Sequence, residues 1–125
     1  WGPYEENPPF HVPRRTVAAF FGDMESPVPA RHSMSAPGNL KDILDGAGFV
    51  KTEERALRYR NPVEDLETYV TNGLKRSFAD KVEGMDDATF ARLKQALLDA
   101  WAPFHEDGMT QIPNVARLGL GWKAG

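Results

Sequence analysis

Cysteine is absent from the chain, which removes disulfides, thiolate metal ligands and cysteine nucleophiles together. A basic excess is missing as well. Lys and Arg number 15 against 18 Asp and Glu, for a net charge of −3, whereas a general nucleic-acid binder carries the opposite balance. The longest apolar run, Val17-Ala18-Ala19-Phe20-Phe21, falls far short of the roughly 20 residues of a membrane span. The front of the chain does not resemble a signal peptide. The expected setting is cytoplasmic, with neither membrane nor nucleic acid as partner. Serines are few (Ser26, Ser33, Ser35, Ser77), and none stands in a nucleophile elbow. His11, His32 and His105 share no helical face and lack the carboxylate spacing of a metalloprotease helix, so no metal is expected.

What is present describes a globular domain. With 125 residues, 41% hydrophobic and 26% charged, the chain suffices for one core and is short for two. Trp1 to Phe10 holds three prolines and a glycine and reads as an irregular loop. Pro13 is suited to open a short helix carrying Val17, Phe20 and Phe21, stopped by Gly22. Asp23 to Ser33, with Pro27 and Pro29, is a second loop. A helix is expected from Ser35 as N-cap through Leu40, Ile43, Leu44 and Ala47, ended by Gly48 in the left-handed conformation. Phe49 to Tyr59 has no helix breaker and reads as a strand, at an edge or partly exposed given Lys51, Glu53, Glu54, Arg55 and Arg58.

Asn61-Pro62-Val63-Glu64 has the form of a helix start. Leu66, Tyr69, Val70, Leu74 and Phe78 make that helix's apolar face, with the turn-favouring Asn72-Gly73 as a local conflict. Asp86 or Asp87 caps another helix, whose stripe is Phe90, Leu93, Leu97, Ala100, Trp101 and Phe104. Pro103 and Gly108 end it. In the tail, Ala116, Leu118, Leu120 and Trp122 alternate with Arg117, Gly119, Gly121 and Lys123, the pattern of a half-buried strand. The order is that of an α/β or α+β chain. Its two strands make a poor sheet by themselves and call for further pairing.

Isolated motifs carry little chemistry. Gly46-Ala47-Gly48 follows a helix and precedes a strand, the reverse of a phosphate-cradling loop, so it reads as a helix-ending turn. In Gly119-Leu120-Gly121 the glycines permit close packing, or narrow the face opposite Leu118 and Leu120. His105-Glu106-Asp107 reads as a solvated turn, and Arg14-Arg15 as a solvated or carboxylate-bound pair.

The order of the pieces is more specific. Trp-Gly-Pro…Asn-Pro-Pro-Phe (Trp1 to Phe10) precedes a short helix, Thr16 to Phe21. Ser35-Ala36-Pro37-Gly38-Asn39-Leu40-Lys41-Asp42-Ile43-Leu44 then runs into Ala47-Gly48-Phe49 and a strand. Two helices follow, and a last strand in which Asp107-Gly108 leads through Ile112-Pro113 to Gly121-Trp122-Lys123. This arrangement resembles the C-terminal half of class I S-adenosylmethionine-dependent methyltransferases of the ubiquinone/menaquinone C-methylase type, over nearly all of the chain.

The resemblance implies a partial Rossmann-like methyltransferase fold: the sixth and seventh strands, their helices, and a two-helix insertion between them over about residues 62–104. It puts Trp1 at or just after the end of a fifth strand. The glycine-rich loop and the acidic residue that hold S-adenosylmethionine in the intact parent then lie upstream, so no cofactor-binding residue is assigned here and the isolated chain is expected to bind none. The loop after the fifth strand and the insertion roof a small-molecule substrate pocket in relatives, which makes Trp1, Tyr4, Asn7, Phe10, Tyr69 and Trp101 the candidate pocket residues. The sulfonium is itself a strong electrophile, so catalysis is largely alignment in a dry pocket. His11 is the candidate base. The unpaired strand edge implies a homo-oligomer. A second reading of the same residues is a non-enzymatic helical interaction module, binding a partner on the aromatic faces of its long helices.

Overall fold

The computed structural model describes residues 1–25 and 27–124. Ser26, one of the few serines, and Gly125 lie outside the described residues. Among the described residues the protein is mixed α/β, with five α-helices and a three-stranded antiparallel sheet. The elements are α1 (Pro8–Phe21), α2 (Asn39–Gly46), β1 (Lys51–Val63), α3 (Leu66–Ser77), α4 (Ala79–Val82), α5 (Asp87–Trp101), β2 (His105–Glu106) and β3 (Met109–Trp122). The strand order is β1-β3-β2. The contacts group into two compact units. One comprises Trp1–Pro8, Pro27–Arg60 and Pro113–Gly125, the other Pro9–Ser26 and Asn61–Ile112.

The second unit holds the apolar core. Val17 of α1, Val70 and Leu74 of α3, Leu93, Leu97 and Trp101 of α5, and Ile112 of β3 are buried together, with α3 packed on α5. Each such aliphatic side chain contributes about 1.5–3 kcal/mol of burial free energy. The helices are set by their caps. Asp86 Oδ1 accepts from Thr89 N at 2.6 Å, and Asp65 Oδ1 accepts from Thr68 N at 3.0 Å. Lys81 Nζ reaches Asp23 at 2.9 Å.

In the first unit, alternation along the strands separates two faces of the sheet. A Cβ on Gly119 would stand 3.0 Å from Leu44 Cδ1, and one on Gly121 would stand 2.7 Å from the Phe49 ring. The missing side chains are therefore what lets α2 and Phe49 lie on that face. Thr52 donates to Asp45 of α2, and Glu54 meets Gly38 at the start of α2, so these β1 positions share it. Leu57, Tyr59, Leu118, Leu120 and Trp122 fall on the opposite face, where all five are exposed. Lys51 Nζ stands 4.6 Å from the Trp122 ring centroid.

Several elements depart from expectation. The Trp1–Phe10 segment is not loop throughout, since α1 already begins at Pro8. Pro8 and Pro9 fit a first turn, where the N–H has no intrahelical acceptor. Pro13, expected as the opener, lies inside the helix. The helix expected from Ser35 starts at Asn39, because Gly38 takes φ 93° and Pro37 biases Ala36 away from the helical region. Leu40 and Leu44 of the expected stripe lie against Gly119 of β3, but Ile43 and Ala47 are exposed.

Pro62 and Val63 end β1 rather than opening a helix, and the residue that caps α3 is Asp65. Three helices, not two, fill the segment expected to hold a pair, with a break at Phe78 (φ −128°, ψ 30°). α3 runs through Asn72-Gly73, held by the burial of Val70 and Leu74. His105 and Glu106 are not a bare turn. They form β2, joined to β3 by Asp107 (φ 54°) and Gly108 (φ 81°). Positive φ at both central residues gives a two-residue hairpin that matches the strand twist.

Candidate functional site

One set of polar contacts lies in the first unit, along the side of β3 that β1 does not occupy. There Gly2 N donates to Val115 O at 2.7 Å. Val115 N donates to the side-chain Oδ1 of Asn7 at 2.8 Å. The N–H and C=O of Val115 thus find partners in the Trp1–Asn7 segment rather than in a strand. A Cβ on Gly2 would meet Val115 Cγ1 at 2.7 Å and Val115 O at 2.8 Å, so this approach requires glycine. By the two-residue period Pro113 turns its nitrogen to the same side as Val115, and its missing N–H removes no bond to β1.

The segment is held at further points. Asn7 Nδ2 donates to Pro3 O at 2.9 Å, and the Trp1 amino group donates to Arg31 O at 3.3 Å. His32 is buried, with Nδ1 2.8 Å from Gly2 O. A carbonyl only accepts, so Nδ1 carries the proton. The Tyr4 ring meets the His32 ring edge-on, centroids 5.3 Å apart.

Two Arg–Glu pairs flank this segment, and they are built differently. Arg117 Nη2 and Nε lie 2.7 and 3.1 Å from Glu54 Oε1, with side chains 15% and 6% exposed. Gly38 N donates to Glu54 Oε2 at 2.7 Å. The Arg117 hydrogen bond above all holds the Glu54 carboxyl below its usual pKa; burial opposes this and the Gly38 N–H assists it. The second pair is looser. Arg58 Nη1 reaches Glu6 Oε1 at 3.2 Å, with side chains 63% and 43% exposed. It borders an open groove of about 380 Å³ lined by Glu6, Arg58, Arg60, Pro113, Asn114 and Val115, among others.

Of the candidate pocket residues, the structure brings Trp1, Tyr4 and Asn7 together in the first unit. Trp1 is exposed and Tyr4 buried. Asn7 is fully buried with both ends of its amide engaged internally, which makes it a latch for the segment rather than a substrate contact. Phe10, His11, Tyr69 and Trp101 belong to the second unit. Phe10 and His11 are half-buried on α1. Trp101 sits inside the core, with Phe104 at 5.3 Å and Tyr69 at 6.2 Å, both edge-on. Burial pushes the Tyr69 hydroxyl pKa up. Trp101 is core because it follows Leu93 and Leu97 at four-residue spacing, whereas Tyr69 is half-buried and packs against that core.

Sequence reasoning did not single out His32, Glu6, Arg58 and Arg60. Positions 6 and 58 are brought together by tertiary folding alone, and no periodicity marks such a pair. Among the described residues, no three or more of His, Cys, Asp and Glu are grouped to hold a metal ion, and no helix is long and apolar enough to cross a membrane. No protein-family model, curated protein or solved structure matches the chain.

Proposed function

We infer that the chain is the C-terminal part of a cytoplasmic S-adenosylmethionine-dependent methyltransferase acting on a small molecule, with β1 and β3 as the last two strands of a Rossmann-like sheet. One observation carries the reading. β3 has β1 on one side and accepts the Gly2 N–H at Val115 O on the other, which is where the resemblance calls for the end of a fifth strand. The helices between β1 and β3, and the helix-ending turn at Gly48 (φ 90°) before β1, agree with it.

The residues present do not fit the cofactor. Gly38 is the glycine that opens a helix here, and its N–H is bonded to Glu54. Gly46 and Gly48 close a helix instead of opening one. In this reading S-adenosylmethionine is held by residues outside this chain, and the chain's own part is substrate contact and closure of the sheet.

Calorimetric titration with S-adenosylmethionine tests the reading. The protein encoded by the complete reading frame should bind it with a micromolar dissociation constant, and the 125-residue chain should give no saturable heat. Micromolar binding by the chain alone, or none by the complete protein, would overturn it.

A further inference from the structure

We propose that the groove between Glu6 and the two arginines of β1 binds a small organic acid through its carboxylate, and that Glu6 stands in for that carboxylate when the groove is empty. This rests on the methyltransferase reading for its meaning, since it names the substrate class, but not for its test. The groove of about 380 Å³ lies in the range of small-molecule sites, roughly 300–1,000 Å³. Arg58 and Arg60 are two positions apart on β1 and so share a face. Both line the groove beside Pro113 and Val115 of β3. Two arginines beside Pro113 and Val115 suit an organic body bearing a carboxylate, because the guanidinium fork matches carboxylate geometry.

The contrast between the two Arg–Glu pairs identifies Glu6 as the exchangeable member. The Glu54 side chain is 6% exposed, meets Arg117 through two nitrogens and takes a backbone N–H as well. Glu6 meets Arg58 at a single 3.2 Å contact, with both side chains largely in water. Such exposed pairs are weak and screened, so an incoming carboxylate displaces Glu6 at little cost. The backbone beneath Glu6 is nonetheless fixed, because its neighbours Tyr4 and Asn7 are buried. The Glu6 carboxylate is held near the groove while its side chain remains able to swing away.

The test is a two-dimensional NMR titration of the whole chain with benzoate, following backbone amides and arginine Nε–H signals, with benzamide and inorganic phosphate as parallel arms. Benzoate should perturb Arg58, Arg60 and Val115 with a millimolar dissociation constant, and benzamide should leave them unmoved. Glu6→Gln removes the internal competitor and should tighten benzoate by about threefold. Arg58→Gln should weaken it by about threefold to fivefold. Should Arg58→Gln fail to fold, the Glu6→Gln and benzamide arms still decide. Equal response to benzamide, tighter binding of phosphate, no tightening in Glu6→Gln, or no benzoate response each overturns the proposal. Those outcomes leave the calorimetric test of the methyltransferase reading intact, and failure of that test leaves a benzoate result standing.

Discussion

At the scale of single residues, side chains here stand in for backbone. Asn7 offers Val115 N the acceptor that a neighbouring strand would provide, and Asn7→Ala would leave a buried N–H without it. The expected cost is about 1–3 kcal/mol, read from urea denaturation with the slope unchanged; a loss of a few tenths at most would mean that water replaces the amide. Glu54 makes the pH-dependent counterpart. Its carboxyl pKa is depressed in the folded chain below the ordinary 4.5, by the Arg117 bond first. A depressed carboxyl adds stability that is fully present above the unfolded pKa and disappears as pH falls through the folded one. Stability should decline as pH drops below about 4.5, and Glu54→Gln should flatten that decline. Urea midpoints for both proteins, measured from about pH 7 to about pH 3, would show this as converging curves; parallel curves would contradict it.

At the scale of elements, α5 was legible because local and global demands agree. Asp86 caps it and its apolar stripe meets the core. Leu93→Ala or Leu97→Ala should cost about 2–5 kcal/mol by chemical denaturation, and a change under about half a kcal/mol at both would remove them from the core. The strand from Ala116 to Trp122 and the left-handed Gly48 just past α2 were equally plain, though Leu118, Leu120 and Trp122 are exposed rather than half-buried. What stayed hidden depends on contacts that no local pattern carries. Pro62 has a helix-opening signature, but the cap belongs to whichever side chain bonds back, and that is Asp65 through Thr68. Asn72-Gly73 speaks for a turn, yet burial of Leu74 on the next position overrides it. Of the candidate site, Trp1, Tyr4 and Asn7 were named from the sequence, but Val115 and the Glu6–Arg58 pair were not, because no local pattern links positions that far apart. Glycines separate the two kinds of constraint. Gly73 has open space around a built Cβ, so Gly73→Ala should raise stability by about 0.5–1 kcal/mol. Gly121→Ala, against the Phe49 ring, should lower it by about 1–3 kcal/mol.

At the scale of the whole molecule, the sheet face that carries Lys51, Glu53 and Arg55 also exposes Leu57, Tyr59, Leu118, Leu120 and Trp122. An isolated chain in water lowers its free energy by covering such a patch. Self-association is the expected outcome at micromolar concentration in sedimentation, through an interface above about 1,000 Å² in total. Leu118→Lys with Leu120→Lys should return the chain to a folded monomer; a wild-type chain that is already monomeric and well folded would refute the association. Asn7 and Val115 are 108 positions apart, whereas the β2–β3 hairpin closes over two residues. Hairpins form in about 1–10 μs, and bringing distant segments together costs a closure entropy that grows with the logarithm of the loop. The hairpin and the local helices are therefore expected to form early and the latch late. A contact absent from the transition state governs how fast the native state opens rather than how fast it forms. On the ribosome the consequence is one of waiting: Trp1–Asn7 is synthesised long before Val115 exists, and it stays undocked through nearly the whole of the chain's elongation.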